Sequence, residues 1–264
     1  MLEINNLSKT FYPSTANERV AIDKLSLALD DGDFVTVIGS NGAGKSTLFN
    51  LIGGTILPDE GKILLENENI TFMEEHHRAK NIERLFQDPL KGTAPSMTIE
   101  ENLALCYMRG KRREFSIGIR KKDSDFFRMR LAELGLGLED RMKTKMGLLS
   151  GGQRQAVTLL MCTLVTPKLL LLDEHTAALD PETADKVLTI TRKIVGENKI
   201  TTMMITHNIQ SSLSLGNRTI MMDNGKIILD ISGEERENMT VEKLLLKFKE
   251  ESNKKFDNDR MLLQ

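Results

Sequence analysis

The run Gly39-Ser40-Asn41-Gly42-Ala43-Gly44-Lys45-Ser46, followed by Thr47, constrains this chain more than any other feature. It fits G-x-x-x-x-G-K-[ST]. It follows the apolar β-branched run 33–38 (DFVTVI) and opens a helix with apolar Leu48, Phe49, Leu51 and Ile52. The glycines let backbone N–H groups converge on an anion with no Cβ in the way. The helix N-terminus behind them adds partial positive charge. In such a loop Lys45 reaches the β- and γ-phosphates of a nucleotide, and the Ser46 hydroxyl ligates magnesium. A strand, a phosphate loop and a helix in that order require an α/β fold.

The surrounding pattern agrees. Pro58-Asp59-Glu60-Gly61 is a turn leading into the short strand 62–65, so an antiparallel flap is expected beside parallel core strands. From about Thr98 to Leu149 the character becomes helical. Thr98 with Glu101 reads as a capping box, and 126–134 is apolar at helical spacing. Strand signals return at 169–172, at 201–206 and on both sides of the Asn224-Gly225 hairpin turn. Alternating strands and helices on either side of the insert predict a mostly parallel sheet. After about Thr240 a terminal helix and a charged tail are expected.

Composition removes several classes. The 264 residues hold 36 Lys plus Arg against 38 Asp plus Glu, a formal charge of −2, so the chain is not built to coat nucleic acid. Cys106 and Cys162 lie among apolar residues without a CxxC partner, which predicts buried reduced thiols and no zinc site. Met1 to Asn6 lacks the basic and apolar regions of a signal peptide, and the longest mostly apolar run, 156–165, is too short to span a bilayer. A cytosolic protein is expected, with any membrane role peripheral.

A phosphate loop alone leaves kinases, GTPases and motor ATPases open. Leu149-Ser150-Gly151-Gly152-Gln153 closes most of that choice, because here the chain resembles the ATP-binding subunits of ABC transporters, whose signature is LSGGQ. The other family elements have counterparts in order over about residues 1–235. Gln87 in Phe86-Gln87-Asp88-Pro89 resembles the Q-loop. Asp173-Glu174 after four leucines resembles Walker B. Ala177-Ala178-Leu179-Asp180 resembles the D-loop, and His207 the H-loop switch.

The resemblance implies a P-loop NTPase core with a mostly parallel sheet, an antiparallel β subdomain and an inserted α-helical subdomain. Its expected limits are 1–90 and 150–240 for the core, 91–149 for the insert and 241–264 for a C-terminal helix and tail. It also implies the cofactors ATP and Mg2+. The nucleotide would be bound by Phe11, Gly39, Ser40, Asn41, Gly42, Ala43, Gly44, Lys45, Ser46 and Thr47, with Tyr12 the other choice for the aromatic on adenine. The metal would be held by Ser46, Gln87 and Asp173. Catalysis would fall to Glu174 as general base for water, with His207, Lys45 and Gln87. Asp173 stands at the carboxyl end of its strand, where α/β sheets bind ligands.

Ser150 should cap a helix running toward Val165, which makes a second anion site for which one chain has no second nucleotide. The family resolves this by pairing two copies head to tail, so that Ser150, Gly151, Gly152 and Gln153 of one face the ATP of the other. Expected partners are therefore a second copy, integral membrane permease subunits and, through them, an extracytoplasmic substrate-binding protein, with no nucleic acid. The expected place is the cytoplasmic face of the cell membrane. The texture from Asp173 to Asp180, with Met97 to Asn102 upstream, resembles the ATPases of tryptophan/tyrosine-type importers. The alternative is a soluble ABC ATPase acting on nucleic acid or ribosomes.

Two positions depart from the common pattern: His175 where proline is frequent, and Ala177 where the D-loop usually has serine. Lys111, Arg112, Arg113, Arg120, Lys121, Lys122, Arg128 and Arg130, against Glu114, Asp123 and Asp125, form a basic stretch in the insert. It reads either as a solvated helical face or as contact with a permease loop or anionic lipid heads. His76 and His77 read as surface residues.

Overall fold

The structure, a computed structural model, describes residues 1–88, 90–109, 119–248 and 250. By packing, the chain divides into two compact units, Met1–Glu75 with Met203–Gln264, and His76–Thr202. No helix among the described residues is long and apolar enough to cross a membrane.

The first unit opens with β1 (Leu2–Phe11), β2 (Arg19–Leu29), β3 (Phe34–Gly39), α1 (Lys45–Gly53), β4 (Glu60–Leu65) and β5 (Glu68–Asn69). Four of these strands form an antiparallel sheet in the order β2-β1-β4-β5. Leu25, Leu27 and Leu29 alternate into its buried face, as a half-covered strand requires. The register of β1 against β2 shifts between Ile4 and Leu7, where Asn6 takes φ +49, a bulge that the alternating pattern does not announce. The predicted turn at Asp59 is tied to β1, since its carboxylate accepts from Lys9 Nζ at 2.7 Å and from the Thr10 N–H at 2.6 Å. The lysine and that N–H hold the Asp59 carboxyl below its usual range, although partial burial pushes the other way.

The second unit carries α2 (Glu75–Arg78), β6 (Ile82–Leu85), α3 (Ile99–Tyr107), α4 (Lys121–Ala132), a 3-10 turn at Met146–Leu148, α5 (Gly151–Thr163), β7 (Leu169–Asp173) and α6 (Pro181–Asn198). β6 and β7 pair in parallel, with Ile82 opposite Leu169 and Leu85 opposite Leu172. All four leucines of β7 are fully buried, which explains the continuous apolar run: a parallel strand covered on both faces has no polar side. The predicted capping box of α3 is present, with Thr98 and Glu101 exchanging side-chain and backbone hydrogen bonds. α4 ends at Ala132, short of the expected 134, because Leu134 and Gly135 turn back onto the carbonyls of Leu131 and Ala132, Gly135 taking φ +67. Of the basic stretch, Arg128 pairs with Asp140 and Arg130 with Glu133 on the surface, while Lys111, Arg112, Arg113 and Glu114 lie outside the described residues.

β8 (Thr201–Ile205) leads back into the first unit, followed by α7 (Ile209–Ser214), β9 (Arg218–Asp223), β10 (Lys226–Ser232), α8 (Gly233–Glu237) and a helix over 241–248. There the strands run in the order β10-β9-β3-β8, with β3 parallel to β9 and β10 antiparallel. Asn224 at φ +44 and Gly225 at φ +75 give the hairpin its predicted turn. Leu48, Phe49, Leu51 and Ile52 of α1 are fully buried, each stabilising the unit by about 1.5–3 kcal/mol. The tail beyond residue 250 lies outside the described residues.

Candidate functional site

Within the first unit the 39–47 loop is held between backbone walls. A Cβ on Gly39 would lie 2.1 Å from the Met222 carbonyl oxygen, and one on Gly44, at φ +101, would lie 2.4 Å from that of Ala21. Only glycine fits either place. α1 begins at once after Gly44, whose position as N-cap supplies no side chain, and its first turn holds no acidic residue. Four other helices differ: Thr98, Ser150, Asp180 and Asn208 each accept a hydrogen bond from their own helix. The mouth of α1 is therefore left for an external anion. Lys45 is buried, and its Nζ donates to the carbonyls of Gly39 (2.7 Å) and Ser40 (2.9 Å), so its charge lies inside the loop it follows. Ser40, Asn41, Gly42 and Ser46 are exposed, Thr47 is half-buried and Ala43 is buried.

Phe11 ends β1 half-buried, with Lys9 Nζ 5.9 Å from its ring centre, whereas Tyr12 is 69% exposed at φ +52. His207 follows β8 on the surface, directly before Asn208, whose side chain accepts from Ser211 N–H and caps α7.

Within the second unit Asp173 ends β7, and Arg84 on the neighbouring β6 donates to its Oδ2 at 2.6 Å, both side chains being largely buried. The pair does not follow from the sequence, because β6 reads Ile82-Glu83-Arg84-Leu85 and nothing in it says which charged residue faces β7. Arg84 also lies over the Phe86 ring at 4.9 Å, next to exposed Gln87. Glu174 takes φ +48, a left-handed conformation uncommon outside glycine and asparagine, which turns the chain sharply after the strand. The turn closes when Ala177 N–H donates to the Glu174 carbonyl at 3.0 Å. His175 points inward and is buried, 3.1 Å from Thr191 Oγ1. That hydroxyl donates to the Val187 carbonyl, which leaves its oxygen to accept from Nε2–H. Burial pushes the imidazole down to about 4, so it stays neutral.

The signature segment is built as expected. Ser150 Oγ accepts from Gln153 N–H, and Gln153 Oε1 accepts from Ser150 N–H, both at 3.3 Å. Arg154 reinforces the approach by donating to the carbonyls of Met146, Gly147 and Leu149. Gly151 is exposed and Gly152 buried. Ser46, Gln87 and Asp173 offer a hydroxyl, an amide carbonyl and a carboxylate. Each is an oxygen donor of the kind Mg2+ takes and a soft transition metal does not. His76 and His77 are exposed.

Comparison with known proteins agrees with this construction. The family described as ABC transporter matches residues 22–177. The chain is 46% identical over 248 residues to a tyrosine transport ATP-binding protein of Clostridioides difficile, covering 94% of this chain and 98% of that one. It is 33% identical to the methionine import ATP-binding protein MetN of Corynebacterium glutamicum, over 86% of this chain and 61% of the relative. Among solved structures it is similar to the ATP-binding cassette MJ0796 in a dimeric state bound to ADP and Pi, with TM-score 0.74 and 27% identity over 88% of this chain and 98% of that chain. It is also similar to the cassette MJ1267, with TM-score 0.75 and 29% identity over 89% and 92%.

Proposed function

This chain belongs to the ABC transporter family, as one of its ATP-binding subunits, and we propose that it hydrolyses ATP to power a bacterial importer of an aromatic amino acid. One observation carries the ATPase reading: the uncapped mouth of α1, with Lys45 folded into the loop before it, is an anion cradle. The length and identity of the match to the tyrosine transport protein support the substrate class.

In this reading the 39–47 backbone and Lys45 hold the phosphates, and Phe11 stacks on adenine. Ser46, Asp173 and Gln87 hold Mg2+, which when bound neutralises charge on the β- and γ-phosphoryl oxygens. Arg84, bonded to Oδ2, holds the Asp173 carboxylate in place until then. Glu174, thrown out of line by its left-handed backbone, orients the attacking water and takes its proton. His207 donates a hydrogen bond to the γ-phosphate. The site is completed by Ser150, Gly151, Gly152 and Gln153 of a second copy, paired head to tail, and the dimeric state of the similar MJ0796 cassette supports that arrangement. Closing and opening of the pair drives permease subunits at the cytoplasmic face of the membrane. A substrate-binding protein outside the membrane feeds that permease.

The test is Glu174→Gln. It binds ATP, accumulates as a dimer with Mg-ATP in light scattering, and loses hydrolysis by about 10²-fold or more. A variant that stays monomeric at saturating Mg-ATP overturns the shared site. Unchanged tyrosine uptake in cells lacking this chain overturns the substrate, and ATPase stimulation by RNA or DNA in place of a permease favours work on nucleic acid.

A further inference from the structure

Arg19 is the first residue of β2 and stands directly opposite Phe11, the last residue of β1, in the antiparallel register. Its side chain leaves the strand toward the phosphate loop, where Nη2 donates to the Gly42 carbonyl at 2.9 Å. The approach is close enough that a Cβ on Gly42 would lie 2.6 Å from that nitrogen. Further along β2, the Ala21 carbonyl lies against Gly44. β2 thus runs along the loop, and Arg19 reaches over its open part while remaining exposed.

The acidic side chains nearest Arg19 on β2 and the preceding loop are engaged elsewhere. Glu18 accepts from the Ser14 N–H at 2.6 Å, and Asp23 pairs with Lys226 at 2.8 Å. A guanidinium has five N–H donors. Among the described residues the Gly42 carbonyl is the one hydrogen-bond partner of Arg19, which leaves four donors and the charge of an exposed side chain, on the strand position opposite Phe11, for a ligand.

We propose that Arg19 is a nucleotide-binding residue that takes the α-phosphate. The inference rests on the nucleotide reading above. A nucleotide with its base on Phe11 and its β- and γ-phosphates at Lys45 must carry its α-phosphate past the residue that lies beside the first and is bonded to the loop of the second. A guanidinium there makes a charge-assisted, fork-shaped contact to phosphate oxygens. The contact is the same before and during γ-phosphoryl transfer. It therefore strengthens binding without altering the chemical step.

Binding of fluorescent-labelled ATP, ADP and adenosine to the full chain tests this, with Arg19→Ala, Arg19→Gln and Arg19→Lys beside the wild type. For Arg19→Ala the expected result is a roughly tenfold weaker affinity for ATP and for ADP alike, with adenosine unchanged and kcat at saturating ATP within about twofold. Arg19→Gln, which can still donate to the Gly42 carbonyl but carries no charge, should lose as much as Arg19→Ala, and Arg19→Lys should keep most of the affinity. Wild-type affinity in Arg19→Gln would reduce Arg19 to a brace for the loop and overturn the proposal, as would a loss confined to ATP. If the wild type itself binds neither ATP nor ADP, the nucleotide reading fails, and that outcome is distinct from an unaffected Arg19 variant.

Discussion

Gly152 has two duties. In the sequence it belongs to an anion-binding signature, while in the structure a Cβ on it would lie 2.0 Å from Thr183 Cγ2, so it also sets how closely α5 approaches α6. Gly152→Ala should therefore destabilise the protein by about 1–3 kcal/mol in urea unfolding, apart from any effect on nucleotide. Thr183→Ser removes the offending methyl while the Thr183 N–H bond to Asp180 stays, so the double variant should recover most of that loss. If it does not, the close helix contact is not the cause. The steric duty was illegible in the sequence, because nothing in Gly151-Gly152 says which helix will lie across it. The Arg84–Asp173 pair joins residues 89 positions apart and was hidden for the same reason. The Lys45 loop was legible because glycines, lysine and hydroxyl all act within one turn of chain.

The elements divide along the same line. The capping box at Thr98 and the Ser150 cap were readable because each closes over three residues. The bulge at Asn6 was not, since it is set by the partner strand. The buried character of α5 was readable from its apolar run, and it has a chemical consequence. Cys162 is enclosed on α5, with its sulfur 3.8 Å from the Arg84 carbonyl, and burial pushes its thiol up to about 12, with Cys106 adding to the rise and Arg109 opposing it. Cys106 on α3 is only half-buried, against the expectation of two enclosed thiols, yet desolvation still raises it to about 11. Because the thiolate is the nucleophile, both should resist iodoacetamide near neutral pH and react only on unfolding. Rapid native labelling, read by mass spectrometry, would contradict the packing of α3 and α5.

At the scale of the molecule, the helical stretch 98–149 falls inside the second unit, which also holds β6, β7 and the signature helix, while the phosphate loop and His207 belong to the first. The expected limits, 91–149 for the insert and 1–90 with 150–240 for the core, follow motifs, which record local chemistry, whereas a packing unit is a property of contacts distant in sequence. The proposed shared site makes a claim that no single chain can satisfy, and mixing tests it. Lys45→Ala removes the phosphate lysine, and Ser150→Arg blocks the signature helix; each homodimer then has two defective sites. A mixed dimer has one site with both lesions and one with Lys45 and Ser150 intact. Equal mixing makes about half of all dimers mixed, each with one working site of two, so ATPase activity should rise to at most roughly a quarter of wild type. It should fall again on dilution, since the site exists only while two copies are associated. Two folded variants whose mixture shows no more activity than their sum, at any ratio, would place the whole site within one chain and remove the need for a partner.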